Sequence, residues 1–267
     1  MHCSLKENIL FDSSDAQWPG FECVWSSPPS ILNIIDNVIH IWRINLDVPV
    51  KIITAFDEIL SNEEKHKAEK YHSDADKRRY SASHGSLRII LGKYLHTAPE
   101  DIRYSCDSSG KPFLSSDINI RSLYFNLSHS GNYALCAVTQ NCSVGIDLEH
   151  IRPASDILSM ARRFFSCNEN EIIFSLHPYQ RQQAFYCLWT LKEAYLKATG
   201  NGLASLKNTE IVFSIDGFPA SIRETGKGYE PGDWTILRFK PAPDYAAGLV
   251  VKGKDKKTYK FYDFFNG

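Results

Sequence analysis

Two short stretches of the chain carry side chains spaced for chemistry on a charged phosphate. One reads Val144-Gly145-Ile146-Asp147-Leu148-Glu149, the other Trp189-Thr190-Leu191-Lys192-Glu193-Ala194-Tyr195-Leu196-Lys197. As a strand, the first puts Ile146 and Leu148 on one face and Asp147 and Glu149 on the other. Two carboxylates beside a glycine that exposes backbone are poor core material and good ligands for a hard cation. As a helix, which its Leu, Lys, Glu and Ala content favours, the second stretch aligns Trp189, Glu193 and Lys197 on one stripe. If strand and helix face each other, three carboxylates and an ammonium converge, a set suited to magnesium and phosphate. Each piece alone has a plainer reading. An Asp-x-Glu pair is commonly a solvated strand face, and a Glu/Lys pair at i,i+4 a surface ion pair worth roughly 0.3–0.5 kcal/mol. Their combination with the signals below argues for a site.

Lys65, Lys67, Lys70, Lys77, Arg78, Arg79 and Arg88 concentrate basic charge in the first half, and Lys77-Arg78-Arg79 has few acids after it. This is either a solvated helix face or a clamp for an anion with more than one phosphate, which guanidinium forks fit well. Gly110-Lys111-Pro112 is a turn through which a ligand can approach backbone. Asn126-Leu127-Ser128-His129-Ser130 closes a strand with hydroxyl and imidazole donors. Gly-x-Ser-x-Gly, Gly-x-Gly-x-x-Gly and Walker-type loops are missing from the sequence, so a serine nucleophile, NAD and ATP use gain no support.

The elements that must position these residues follow from periodicity. The 267 residues suit one large domain or two small ones. Residues 1–37, rich in Ser, Pro and Trp, read as an irregular leader. Val38–Ile44 alternates as a strand, either Asn62 or Ser61 with Glu64 caps a helix running through Lys70, and Asp76–Leu95 is a longer helix. A short strand lies near Ile102–Ser105. Tyr124–Leu127, Ala134–Val138 and Val144–Leu148 read as an antiparallel meander. Helices follow at Asp156–Phe165 and Gln180–Thr199, the latter stopped by Gly200-Asn201-Gly202. Strands return at Ile211–Ile215, Trp234–Phe239, Ala246–Val251 and Thr258–Tyr262. The order is α+β, with a boundary after Glu149: an N-terminal half over 38–149 and a C-terminal half over 150–267.

A net charge of −1 gives nucleic acid or anionic membrane no global attraction, so any anion site must be a local basic cluster. The seven cysteines form no CxxC pair and several sit in apolar runs, which predicts buried reduced thiols. With no secretory signal pattern and no apolar run near the ~20 residues of a membrane span, a cytoplasmic protein is expected.

Taken in order, Gly110-Lys111-Pro112, Asn126-Leu127-Ser128-His129-Ser130, Gly145-Ile146-Asp147-Leu148-Glu149, Phe164-Phe165-Ser166 and Trp189 through Lys197 resemble the Sfp-type 4′-phosphopantetheinyl transferases, and most of all the broad-range cyanobacterial members. The resemblance covers residues 60–205 firmly. It implies two similar α+β halves in pseudo-twofold arrangement, with the active site in the cleft between them. It implies transfer of the phosphopantetheine arm of coenzyme A to a serine of acyl or peptidyl carrier proteins of fatty acid, polyketide or nonribosomal peptide biosynthesis, leaving 3′,5′-ADP. By the same resemblance Asp147, Glu149 and Glu193 would hold Mg²⁺, with Mn²⁺ an alternative. Glu193 would deprotonate the carrier serine, and Lys197 would stabilise charge on the phosphate. Lys67, Arg79, Ser128 and His129 would hold the 3′-phosphate, while Gly110, Lys111, Pro112 and Asn126 would line the coenzyme A site. Glu169 would stand near the metal's outer shell. The enzyme would be a monomer. Lys67 and His84 stand where arginine is common in the family. Two rival readings remain at this point: a metal-dependent phosphodiesterase using the same acids, and a non-enzymatic protein that holds a nucleotide or a carrier domain.

Overall fold

A computed structural model describes residues 20–152, 156–214, 217–225 and 233–266. A short strand, β1 (Phe21–Glu22), precedes two passes through one order of elements. The first pass runs β2 (Val38–Asn45), α1 (Val50–Ile59), α2 (Asn62–Glu69), α3 (Asp74–Leu95), a hairpin of β3 (Tyr104–Cys106) and β4 (Pro112–Leu114), then β5 (Leu123–Ser130) and β6 (Tyr133–Gln140). The second runs β7 (Val144–His150), α4 (Ile157–Phe164), α5 (Cys167–Ser175), α6 (Pro178–Thr199), a hairpin of β8 (Thr209–Phe213) and β9 (Pro219–Glu224), then β10 (Trp234–Lys240) and β11 (Tyr245–Lys252). Finally β12 (Thr258–Asp263) returns to the first half and pairs in parallel with β2.

The chain is α+β with two similar halves. One sheet is ordered β12-β2-β6-β5 and the other β1-β10-β11-β7. Ile39, Ile41, Leu135 and Ala137 of the first sheet pack against Val144, Ile146, Leu148 and Leu249 of the second in one apolar layer. Helices cover the outer faces: α1 and α3 complete one core with Trp42 and Ile44, and α6 completes another with Val250.

The two halves also repeat a local device. Ser61 and Glu64 cap α2 reciprocally, and the buried Glu64 carboxylate accepts Arg88 Nε of α3 at 2.7 Å. Ser166 and Glu169 cap α5 in the same way, and Glu169, fully buried, accepts Lys192 Nζ of α6 at 2.7 Å. Each long helix is therefore pinned to the helix before it by a carboxylate that also satisfies a helix N-terminus. The duplication is invisible in sequence because only the Ser-x-x-Glu spacing and one basic residue are shared.

Several expectations change. The segment 144–150 is not the third strand of a meander. It pairs with β11 and so belongs to the sheet of the later strands. The cause is steric. A Cβ on Gly145 would sit 1.9 Å from Ala194 O, and one on Gly248 would sit 2.6 Å from the backbone of Thr190 and Leu191. These two glycines let α6 lie against the sheet, which fixes β7 and β11 as the pair beneath it. Of the leader, residues 1–19 lie outside the described residues, while Leu32 and Ile34 are buried in the first core. Helix α1 escaped notice because Val50, Ile52, Ile53 and Thr54 are β-branched; burial of Ile53 and Phe56 overrides that preference. Lys77 and Arg79 have acids one turn back, Asp74 at 3.7 Å and Asp76 at 3.3 Å. Cys136 and Cys187 are buried thiols as expected, but Cys106 and Cys167 are exposed; Cys3 and Ile215, the expected end of a strand, lie outside the described residues.

Replacing Gly145 by Ala should cost ~3 kcal/mol or more, because backbone cannot yield as a side chain does. Gly202→Ala, whose Cβ would meet open space, should stay within ~0.5 kcal/mol of wild type. Thermal denaturation of both variants measures this; equal melting points would remove the steric account of how α6 docks.

Candidate active site

The close approach at Gly145 sets α6 over the polar face of β7. Glu193 and Lys197 lie one turn apart on α6, with Trp189 one turn before them, and all three look onto Asp147 and Glu149. Lys197 Nζ donates to Asp147 Oδ1 at 2.6 Å and to Ser128 Oγ at 2.8 Å. Ser128 Oγ donates in turn to Asp147 Oδ1 at 2.9 Å and accepts from Leu148 N–H at 3.3 Å. The hydroxyl's one hydrogen and two lone pairs are thus all engaged. Glu149 accepts Ser130 Oγ at 3.0 Å.

Two carboxylate oxygens here, Asp147 Oδ2 and Glu193 Oε1, are buried without a hydrogen-bond partner. Leaving such an oxygen unmet costs about 1–3 kcal/mol, and they are the form of orphan that a hard cation satisfies. Burial, then the Asp147 charge, push the Glu193 carboxyl up to about 7. Burial and Asp147 likewise raise Glu149, against the lowering pull of Ser130, Lys197 and Trp189. The three acids are therefore within electrostatic reach of one another. They do not close on one point: among the described residues no group of three or more such side chains stands ready to hold a metal ion. Lys197 and Ser128 instead hold one oxygen of Asp147, and Ser130 holds one of Glu149.

A cleft of about 320 Å³ opens beside these acids, lined by Gly110, Lys111, Pro112, Asn126, Leu127, Glu193, Lys197 and the Gly200–Leu203 turn. The Gly-Lys-Pro turn, Asn126, the base and the lysine named from sequence thus share one wall system. Lys111 Nζ donates to Ala198 O at 3.1 Å, capping the end of α6. Arg79 lines a different cleft, of about 310 Å³, with Gly131, Asn132, His150, Arg152 and Tyr245. His84 stacks on Tyr80 at 3.9 Å between ring centres; burial, with smaller contributions from His129 and Lys67 and against the raising pull of Glu64 and Tyr80 O, lowers its imidazole to about 4. His129 is lowered by burial, then by Lys197 and Arg79. Lys67 lies within electrostatic reach of His84, and Arg79 and Lys197 within reach of His129, with both imidazoles held towards the neutral form.

Two residues stand elsewhere than expected. Ser128 turns inward to Asp147 and Lys197. Glu169 is sealed in the second core, where its two oxygens take Ile211 N–H at 2.8 Å, Ser166 N–H at 2.7 Å and Lys192; its Ser-x-x-Glu spacing signalled a cap, not a metal neighbour. Sequence reading missed Ser130 and Gly248. Ser130 was recoverable from its alternation with Asn126 and Ser128.

The fold thus sets Asp147, Glu149, Glu193 and Lys197 together beside one cleft. Residues 143–250 match the 4′-phosphopantetheinyl transferase superfamily, and residues 50–141 match the N-terminal region of 4′-phosphopantetheinyl transferases. The chain is 39% identical over 229 residues to the 4′-phosphopantetheinyl transferase HetI of Nostoc sp., covering 86% of this chain and 94% of that protein. It is 34% identical over 203 residues to the 4′-phosphopantetheinyl transferase psf-1 of Bacillus pumilus, covering 76% of each. A solved holo-[acyl-carrier-protein] synthase of Thermotoga maritima covers 42% of this chain and 64% of its own, with 23% identity and a TM-score of 0.33. The chain belongs to the 4′-phosphopantetheinyl transferase family.

The raised carboxyl of Glu193 has a thermodynamic consequence. Its folded value of about 7 exceeds the ordinary 4.5, so between these the folded chain binds more protons than the unfolded one, and this group's contribution falls as pH rises through that window. With chelator present, Glu193→Gln should be the more stable protein at pH 8, by on the order of 1 kcal/mol after allowance for partial exposure, and the gap should shrink towards pH 4.5. A difference in melting temperature that does not change with pH would contradict this.

Proposed function

We infer that this transferase moves the 4′-phosphopantetheine arm of coenzyme A onto a serine of an acyl or peptidyl carrier protein at the Asp147–Glu149–Glu193–Lys197 cluster, releasing 3′,5′-ADP. The observation that carries the assignment is the pair of partnerless buried oxygens, Asp147 Oδ2 and Glu193 Oε1, on facing elements. An all-oxygen donor set with Glu149 beside it suits Mg²⁺, and Mn²⁺ equally. Bound there, the ion would neutralise pyrophosphate charge and act as a Lewis acid on the transferred phosphoryl group.

The chain's own residues supply the rest. Glu193, with a proton affinity near neutrality, is suited to take the proton of the carrier serine as its oxygen attacks phosphorus. Lys197 fixes Asp147 and would set a cation beside the transferred phosphoryl group. Lys67 and Arg79 offer cations for the 3′-phosphate, His129 offers a hydrogen-bond donor, and the Gly110-Lys111-Pro112 turn with Asn126 offers a wall for the adenosine. Phosphoryl transfer needs charge and alignment more than covalent help, so no nucleophile on the chain is required. Among the described residues no helix is long and apolar enough to cross a membrane. On this reading the enzyme works as a cytoplasmic monomer whose macromolecular partners are carrier proteins.

Asp147→Asn and Glu193→Gln should each lower transfer at least about 100-fold while the protein stays folded. Mass spectrometry of an apo carrier protein incubated with coenzyme A, Mg²⁺ and each variant reads this directly. Near wild-type modification by either variant would remove the site; coenzyme A cleavage without any carrier present would favour the phosphodiesterase reading instead.

A further inference from the structure

β5 and β7 are edge strands of different sheets, yet they run side by side. The seam between them is closed by side chains. Asn126 Oδ1 accepts Ile146 N–H at 2.8 Å, Ser128 Oγ accepts Leu148 N–H at 3.3 Å, and Ser130 Oγ accepts His150 N–H at 3.1 Å. Three residues at i, i+2 and i+4 of β5 thus occupy the places that carbonyls would fill in a continuous sheet.

A hydroxyl differs from a carbonyl in one respect: it keeps a hydrogen to donate. Both serines use it identically. Ser128 accepts from the N–H of residue 148 and donates to the side chain of Asp147; Ser130 accepts from the N–H of residue 150 and donates to Glu149 Oε2 at 3.0 Å. The same rule at Asn126 points to residue 145, a glycine with no side chain to hold. The seam therefore grips alternate residues of β7, and those residues are the two acids.

We propose that Ser130 is a positioning residue for Glu149: by tying the carboxylate to the seam, it presents the other oxygen to the divalent ion beside Asp147 and Glu193. The proposal deepens the function assigned above and rests on it. A hydrogen bond from a protein group to a metal-ligating carboxylate fixes its orientation, and removing such a bond typically costs 10–100-fold in metal affinity or activity.

Manganese binding to the enzyme, followed by the electron paramagnetic resonance of free Mn²⁺ without substrates, tests this apart from turnover. Ser130→Ala should weaken Mn²⁺ about tenfold, and Ser130→Thr, which keeps the hydroxyl, should restore affinity to within about twofold. In a double-mutant cycle, Ser130→Ala should add little further loss to Glu149→Gln, because both act through one carboxylate. Unchanged Mn²⁺ affinity in Ser130→Ala, or full additivity with Glu149→Gln, would reduce Ser130 to a seam residue and overturn the proposal. If Glu149→Gln itself leaves Mn²⁺ affinity unchanged, the metal assignment fails before Ser130 is tested, and the proposal falls with it.

Discussion

The site depends on how closely α6 can lie on the second sheet. Two glycines, one on each strand beneath the helix, let its backbone approach to a distance that no side chain would allow. That approach brings an acidic strand face and an acidic helix face together, an arrangement that electrostatics alone would reject. The opposed carboxylates are tolerated because the surrounding core is large and fully packed, so burial elsewhere offsets local repulsion.

The same repulsion gives the cluster its chemical character. Lys197 and Ser128 satisfy one oxygen of Asp147, which leaves the second oxygen and one of Glu193 without partners. Charge is thereby balanced in part, and the remainder is available to a cation. The pseudo-twofold relation sharpens the contrast. In the first half the long helix is pinned by the same kind of buried ion pair, but its neighbours on the sheet are Trp42 and Ile44. One copy of the fold holds an apolar core where the other holds acids.

Much of this could be read from the chain before any coordinates. The Asp147/Glu149 alternation and the Glu193/Lys197 turn spacing are local, and periods of 2 and 3.6 residues fix which side chains share a face. What could not be read was non-local. Nothing near Val144 says that its strand pairs with a partner a hundred residues later, because that pairing is decided by the fit of a helix over Gly145 and Gly248. The contacts of Ser128 are non-local in the same way. A donor beside a presumed phosphate looks like a ligand, and only the seam with β7 reveals that its hydrogen and lone pairs are already used. Glu169 shows the converse, a motif acid whose spacing from Ser166 described a helix cap and whose charge is consumed by Lys192.

On the proposed reading, facing carboxylates from strand and helix share one divalent ion next to coenzyme A. Anomalous diffraction from crystals grown with Mn²⁺ and coenzyme A tests it most directly. A peak about 2.0–2.3 Å from both Asp147 Oδ2 and Glu193 Oε1, adjoining the pyrophosphate, is the result this account requires. Coenzyme A bound with the anomalous peak elsewhere, or with those two oxygens turned from it, would contradict the account.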